Sequence, residues 1–196
     1  MRNLFTILTF IFISHSLFAQ NKGGLFFTYS LSSALPAYNR SGMDGGPGYD
    51  GKQSSTIGLH YIIKSNKLVA FETGIEYGNY KFTIKPAFYP GIDQTAKPSK
   101  AELITIPVYA NITFLKYAFI NGGALIDIEI NKQNTIQNQS GIGFGLGLGG
   151  KYNFNKIDIF VNPFLQRHAF ISLEEKNDNR LSLINPGVRV GIGYTF

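Results

Sequence analysis

The stretch 181–196, with the sequence LSLINPGVRVGIGYTF, alternates apolar residues with small or polar ones. One parity holds Val188, Val190, Ile192 and Tyr194. The other parity holds Gly187, Arg189, Gly191 and Gly193. Successive side chains of a β-strand point to opposite faces of its sheet, so the alternation predicts a strand with one apolar face.

The glycine-bearing parity indicates where the two faces of this strand point. A solvent-facing strand surface carries Lys, Glu and Thr, whereas this parity is mostly glycine with one arginine. The interior of an eight-stranded barrel is only just wide enough for side chains, so small residues must alternate with large ones there. We therefore expect the glycine face to line a narrow lumen and the apolar face to contact lipid. Tyr194 and Phe196 would join an aromatic girdle at the membrane boundary.

The first residues predict export from the cytoplasm. Residues 1–3 form a short basic region, residues 4–13 form an apolar run, and residues 16–19 end in the small residue Ala19. The apolar run is much shorter than the ~20 residues that a transmembrane helix needs. This pattern predicts a signal peptide over 1–19 and a single mature domain over 20–196.

The composition excludes several classes of site. The chain has no cysteine, which excludes disulfides, thiolate catalysis and cysteine-based metal sites. The formal net charge of +6 is scattered, without the clustered basic run of a nucleic-acid surface. No later segment approaches the ~18 uninterrupted apolar residues of a helical span. We expect no cofactor, no metal and no nucleic-acid partner.

Eight segments share the two-residue period, and long and short connections alternate between them. The predicted strands are 22–32, 55–64, 67–82, 102–114, 118–128, 141–154, 157–173 and 181–196. Long loops are predicted at 33–54, 83–101, 131–139 and 174–180, and tight turns near 65–66, 115–116 and 155–156. The even count and this alternation predict an all-β fold, an eight-stranded antiparallel up-and-down transmembrane β-barrel. We expect a monomeric, multi-pass protein of the bacterial outer membrane, with long loops outward and turns toward the periplasm.

Two positions predict local irregularities in the strands. Pro107 cannot donate to a β-ladder, so a bulge or a local break is expected there. Strict parity would direct Arg167 toward lipid, which is costly near the middle of a membrane. A bulge around Pro163, or a position of Arg167 at the membrane interface, would remove this conflict.

Several segments together resemble the PorT-like outer-membrane β-barrel family, which is similar in shape to the OmpA and OmpX barrels. They are ITIPVYANITF at 104–114, GIGFGLGLGGKY at 141–152 and the terminal GVRVGIGYTF. The resemblance implies a barrel fold and an outer-membrane location. It also implies that Tyr194 and Phe196 form the signal recognised by the barrel-assembly machinery, and it suggests an envelope protein partner. A PorT-like role in a secretion or gliding apparatus is an alternative function.

Charged residues on the lumen parity are the first candidate site. Glu72, Glu76, Lys151 and Arg189 all fall on this parity. Charges in a narrow interior must pair, because an isolated buried charge is strongly penalised. We predict that they form an ion-pair network that closes the lumen, in preference to a gated pore or a proton path.

Lysines flanking the second long loop are the second candidate site. Lys81, Lys85, Lys97 and Lys100 carry ammonium groups that suit the phosphates of lipopolysaccharide, or they form an ordinary solvated surface. The sequence leaves both interpretations open. Outer-membrane lipid is thus an expected partner of the barrel.

The remaining motifs favour structure over chemistry. The run Gly145–Gly150 matches GxGxxG, but it alternates as a strand and is not followed by a helix, so it predicts barrel packing. Asp44 and Asp50 lack the spacing of an EF-hand loop. His168, Ser172 and Glu174 are the least poor triad for a lipid-modifying enzyme, but they are contiguous in sequence. We expect a structural or loop-mediated recognition role without catalysis, with an outer-leaflet lipid-modifying enzyme and a soluble lipocalin-like carrier as the remaining alternatives.

Overall fold

The computed structural model describes residues 23–38, 46–65, 68–87, 91, 95–131, 136–173 and 180–196. Its strands are β1 (Gly23–Tyr38), β2 (Gly48–Lys64), β3 (Val69–Lys85), β4 (Lys97–Phe114), β5 (Ala118–Glu129), β6 (Gly141–Phe154), β7 (Ile157–Ser172) and β8 (Leu181–Thr195). The predicted signal peptide and Asp44 lie outside the described residues. Within those residues, no helix has the length and apolar character to cross a membrane.

The strands close into a barrel. Each strand pairs antiparallel with the next one in sequence, and β8 pairs with β1 over the register from Gly24↔Thr195 to Tyr38↔Leu181. Closure leaves the sheet without an unpaired edge. The predicted fold class, an eight-stranded antiparallel up-and-down barrel, is confirmed.

The two ends of the barrel differ. The short β2–β3, β4–β5 and β6–β7 connections lie at one end together with Gly23 and Phe196, which we call the turn end. The other four connections lie at the opposite end, which we call the loop end. Residues described there include Ile136, Gln139 and Arg180, all of them buried.

The strands extend further toward the loop end than the sequence predicts. β1 continues to Tyr38 and β2 already begins at Gly48, so the predicted loop 33–54 is largely strand. The glycine-rich piece Gly48–Gly51 pairs with Phe82–Lys85 of β3, and the loop predicted at 83–101 is shortened in the same way. The loop was predicted because glycine lowers strand propensity. The prediction was wrong because the backbone N–H and C=O groups of glycine can still form hydrogen bonds with a neighbouring strand.

Glycines line the lumen side of β6 and β8, as their parity predicts. In β6 the buried positions are Gly141, Gly143, Gly145, Gly147 and Gly149. They make room for aromatic rings: a Cβ added at Gly149 would collide with Phe119, and one added at Gly191 would collide with Phe160. The small residues of two strands therefore accommodate the large residues of their neighbours in a narrow interior.

The outward face of the barrel is apolar. Each strand exposes at least one large apolar side chain there, represented by Phe27, Leu59, Phe71, Val108, Ile126, Leu146, Leu165 and Val190. The polar and charged side chains are instead concentrated in the lumen. This distribution is the reverse of that in a soluble protein.

One of the two predicted irregularities is found where it was expected and the other is displaced, and a bulge in β2 between Gly51 and Ser55 was not predicted. At Pro107 the β3–β4 ladder is interrupted between Thr73↔Val108 and Glu76↔Thr105 and then resumes in the same register, so a local break occurs without a bulge. The β6–β7 register shifts between Ile142 and Phe144, opposite residues 168–170, and not at Pro163.

Arg167 therefore keeps the outward parity that the sequence assigns to it. Its Nε donates to Ser182 Oγ at 2.9 Å, and its guanidinium lies 5.0 Å from the ring centroid of Phe170. Hydrogen bonding and stacking on an aromatic ring lower the cost of a cation on this face.

Candidate functional site

The loop-end half of the lumen is filled by apolar side chains. The cluster comprises Ala34, Tyr80, Phe82, Ala101, Leu103, Ile136, Leu181 and Leu183, with Tyr38, Tyr49 and Ile84 packed against it. Ile136 comes from the β5–β6 connection and folds into the top of the barrel. Gln139, three residues further along the same connection, donates from Nε2 to the carbonyl oxygen of Leu181 at 3.1 Å. The loop end is thus closed by side chains of the strands and of this connection.

Four charged or ionisable side chains form the middle layer of the lumen. Arg189 of β8 reaches β3, where its Nη2 lies 3.0 Å from Glu76 Oε1 and its Nη1 lies 3.5 Å from Glu72 Oε1. His60 of β2 lies between the two glutamates, with Nδ1 2.7 Å from Glu72 Oε1 and Nε2 3.1 Å from Glu76 Oε1. None of the four is more than 4% exposed. The arrangement places each carboxylate beside both a guanidinium and an imidazole.

Neutral groups complete the environment of this layer. Asn111 Nδ2 donates to Glu72 Oε2 at 2.8 Å. The Arg189 guanidinium lies 5.3 Å from the ring centroid of Phe164 and 5.8 Å from that of Tyr109. Buried charges are stable only when they are paired and hydrogen-bonded, and these contacts supply both conditions.

A second buried acidic group lies two strands away from Glu76, since Thr105 of β4 pairs with both Glu76 and Asp127. Asp127 of β5 accepts hydrogen bonds from Thr105 Oγ1 at 2.8 Å and from the backbone N of Ala169 at 3.0 Å. His168 Nδ1 lies 2.9 Å from Asp127 Oδ1. Ala169 has φ of +47° and sits in the segment opposite the β6 register shift. Asp127 therefore anchors the irregular part of β7.

The sequence missed the histidines of these two clusters. His60 falls on the lumen parity of β2, but it is not among the residues predicted to form the ion-pair network. The β2–β3 register pairs His60 with Gly74, so Glu72 and Glu76 lie on either side of it on the same face. A two-residue turn at 65–66, as the sequence predicts it, would place His60 opposite Phe71, so counting back from that turn does not find the contact.

Lys151 does not belong to the ion-pair network, which corrects the prediction. Its Nζ donates to Thr113 Oγ1 at 2.6 Å near the turn end, and among the described residues it forms no ion pair. Its parity is as predicted, but Lys151 lies opposite Phe160 and its Nζ lies 5.9 Å from the ring centroid of Phe119. Parity fixes the face of a residue and leaves its depth open, which is why Lys151 was grouped with residues of the middle layer.

The weak triad is not assembled in the part of the chain that the structure describes. His168 is fully buried against Asp127, whereas Ser172 lies at the end of β7 opposite Gly141. Glu174 lies outside the described residues. Within the described ranges, no group of three or more His, Asp or Glu side chains is placed to hold a metal ion.

The four loop-end lysines fall into separate environments. Lys81 and Lys100 are cross-strand neighbours on β3 and β4, and Lys100 Nζ lies 2.6 Å from Glu102 Oε1. Lys85 Nζ lies 2.7 Å from Asp50 Oδ2. Lys97 is exposed at the start of β4. Lys81 and Lys100, as direct cross-strand neighbours, are placed to contact the same anionic group.

The aromatic residues at the end of β8 lie at the turn end and point outward. The ring of Phe196 stacks on Tyr61 with centroids 6.2 Å apart, and Lys156 Nζ lies 5.7 Å from the ring centroid of Tyr194. The placement suits an interfacial girdle. Their role in assembly stays a prediction.

Solved structures resemble this chain over most of its length. The crystal structure of OprG, an outer membrane protein of Pseudomonas aeruginosa, aligns with a TM-score of 0.56 and 12% identity over 89% of this chain and 97% of OprG. AlkL, an outer membrane protein determined by solid-state NMR in DMPC bilayers, aligns with a TM-score of 0.53 and 11% identity over 90% of each chain. Ail of Yersinia pestis aligns with a TM-score of 0.47 and 12% identity over 90% of this chain and 99% of Ail.

Sequence comparisons give no further assignment. No protein-family model matches the chain, and no curated protein matches it. At identities this low, OprG and AlkL establish that the chain has the fold of an outer-membrane β-barrel, and they carry no information about its activity.

Proposed function

We propose that the protein is an integral β-barrel of the bacterial outer membrane, monomeric and non-catalytic, with a closed lumen. The observation that carries the proposal is the apolar belt on all eight strands, combined with a lumen that buries Glu72, Glu76 and Arg189. In water such an apolar surface would cause aggregation. In a bilayer the same surface contacts the acyl chains of the lipids. A soluble carrier would need the opposite distribution.

The orientation follows from the connections. Short turns and both ends of the barrel's chain face the periplasm in barrels of this type, and longer connections face outward. We therefore assign the turn end to the periplasm and the loop end to the cell exterior. The strands contain 12–18 residues, more than the ~9–11 that cross a bilayer, so β1 to β4 extend beyond it at the loop end.

The proposed role is structural or based on recognition by this loop-end extension. Tyr38 and Tyr49 pack edge to face there with centroids 6.3 Å apart, and burial together with the Tyr38 hydrogen bond raises the pKa of Tyr49 to about 12. These half-buried rings order the loop-end extension, which suits it to binding a partner outside the membrane. PorT-like kinship, an envelope partner and recognition of Tyr194 and Phe196 by the assembly machinery remain predictions.

Lys81 and Lys100 support contact with outer-leaflet lipid. They lie side by side on the outward face above the apolar belt, and Lys52 is exposed near Lys81 at the β2 bulge. Ammonium groups in this position suit the phosphates of lipid head groups. Replacing both Lys81 and Lys100 by Gln should reduce the lipopolysaccharide that copurifies, and replacing Lys97 by Gln should not.

Site-directed spin labelling tests the membrane assignment. The chain has no cysteine, so single Cys variants at Leu146, Val190 and Lys151 accept one label each. Labels at 146 and 190 should collide with oxygen in the bilayer, whereas a label at 151 should collide with a water-soluble nickel complex. Water-accessible labels at 146 and 190 would overturn the proposal. A planar-bilayer recording should show no stable conductance, and a steady open channel would contradict the closed lumen.

A further inference from the structure

The turn-end half of the lumen holds a cavity of about 680 Å³. It opens between the short turns, and its inner end reaches Glu72 and Asn111 of the middle layer. Cavities of roughly 300–1,000 Å³ are typical of small-molecule sites. The lumen therefore contains a blind vestibule of ligand size, closed at its inner end by the charged layer and the loop-end apolar cluster.

Aromatic rings form one wall of this vestibule. Phe160 of β7 lies between Phe26 and Phe119, with both pairs of ring centroids 6.0 Å apart. Gly149, Gly191 and Gly193 leave the space that these rings occupy. The wall offers apolar contact to a planar or short aliphatic group.

Three lysines line the same cavity. Lys64 Nζ lies 3.8 Å from Asp158 Oδ2, and Lys116 Nζ lies 5.2 Å from the ring centroid of Tyr117. Lys151 is half-buried and donates to Thr113 Oγ1, a neutral group. Of the two acidic residues that line the cavity, Glu72 is engaged with His60 and Arg189, and Asp158 already accepts from Asn153 Nδ2 at 2.5 Å. The vestibule thus holds an excess of positive charge beside an aromatic wall.

We propose that this vestibule binds a small organic monoanion, with its carboxylate on Lys151 and its apolar body against Phe119 and Phe160. A carboxylate would supply the ionic partner that Lys151 lacks among the described residues. Glu72 at the inner end disfavours a second negative group on the ligand, so a dicarboxylate should bind more weakly. The proposal rests on the proposed function in one respect: the ligand enters from the periplasm because the turn end was assigned to that side.

Fluorine NMR on the purified full-length barrel in a zwitterionic detergent tests the proposal. The probe is 4-(trifluoromethyl)benzoate, and 4-(trifluoromethyl)benzamide is its neutral counterpart. Protein should broaden the benzoate signal beyond the effect of protein-free micelles and should affect the benzamide much less. Lys151→Gln should weaken benzoate binding roughly tenfold, as expected for the loss of one charge-assisted hydrogen bond. Lys85→Gln, at the loop end, should leave it unchanged.

A spin label locates the bound probe independently of Lys151. A label on a Cys at 116 should relax the fluorine signal, and a label on a Cys at 97 should not, because these positions lie at opposite ends of the barrel. Equal broadening of the benzamide, unchanged binding by the folded Lys151→Gln variant, or relaxation from position 97 alone would each overturn the proposal. The membrane assignment does not depend on these results, since it is tested by labels at 146 and 190.

Discussion

Arg189 Nη2 lies 3.0 Å from Glu76 Oε1, and this contact joins β8 to β3 across the lumen. Each of the two residues is 1% exposed. The ion pair is therefore shielded from water, and the cost of breaking it differs from that of a surface pair. Removing one partner of a buried ion pair lowers stability more than replacing both partners by apolar residues, because the remaining buried charge is left unpaired.

The first prediction concerns the imbalance that follows the loss of Arg189. Arg189→Ala leaves Glu72 and Glu76 beside the His60 imidazole and the Asn111 amide without the guanidinium, and we expect it to lower the free energy of unfolding by about 3–5 kcal/mol. Glu72→Gln removes one of two carboxylates and should cost less, since Arg189 keeps Glu76. The measurement is urea unfolding in lipid vesicles, followed by tyrosine fluorescence and heat-modifiable gel mobility. Equal losses for the two variants would argue against this pairing.

The second prediction concerns the backbone at the β7 irregularity. Ala169 has φ of +47°, a region that costs a residue with a Cβ about 1–2 kcal/mol. Ala169→Gly removes this strain but also a buried methyl group, worth about 0.8 kcal/mol, so we expect stability unchanged or raised by up to about 1 kcal/mol. Ala110→Gly, in a regular part of β4, should instead lose about 0.5–1 kcal/mol. The same urea unfolding measures both, and a loss at 169 as large as that at 110 would contradict the interpretation.

Most of the fold is predictable from the sequence because the features that define each strand lie within that strand. The period of two defines the faces of the strands, and glycine on one parity of β6 and β8 indicates a cramped interior. The predictions that failed depend on partners distant in sequence. Gly48–Gly51 is strand because β3 extends beside it, and the β7 irregularity lies at 168–170 because Asp127 of β5 accepts a hydrogen bond from Ala169 N.

The candidate site was only partly predictable for the same reason. Parity put Glu72, Glu76 and Arg189 on the lumen face, and counting from the turns placed them at similar depths. Glu72 and Lys151 each lie three residues from the turn end of their strands, at 69 and 154, so counting alone does not separate Lys151 from the network. Asp127 and His168 lie on strands separated by a register shift, so their contact required the three-dimensional structure.

The third prediction concerns pH at the loop-end extension. The hydrogen bond from Lys85 holds the pKa of the Asp50 carboxyl below its ordinary value of 3.8. Because the pKa of Asp50 is lowered in the folded protein, the pair stabilises the fold at pH values above the ordinary pKa. This contribution is lost as the pH falls through the lowered pKa. Carbon NMR of the Asp50 carboxyl should show the lowered pKa, and Lys85→Gln should return it toward 3.8.

An exposed pair such as Asp50 and Lys85 contributes little to stability, because water and salt screen it. We therefore expect the Lys85→Gln variant to keep the melting temperature of the wild type while its Asp50 titration shifts. Lys97→Gln, in which the mutated lysine forms no ion pair among the described residues, serves as the control. An unchanged Asp50 titration in Lys85→Gln would exclude the contact.

The fourth prediction compares two adjacent glycines of β6. A Cβ at Gly149 would lie 2.5 Å from Phe119 Cζ and 2.7 Å from the carbonyl oxygen of Val161, whereas the nearest atom to a Cβ at Gly150 is the carbonyl oxygen of Tyr117 at 3.9 Å. Overpacking a tight interior costs about 1–3 kcal/mol, so Gly149→Ala should lower the free energy of unfolding by that amount. Gly150→Ala should change it by less than about 0.5 kcal/mol, as at an unconstrained position. In a Phe119→Ala background, Gly149→Ala should cost less than it does in the wild type, because only the contact with the carbonyl oxygen of Val161 remains. Urea unfolding in vesicles measures these variants, and equal effects at 149 and 150 would mean that the lumen glycines do not make room for the aromatic rings.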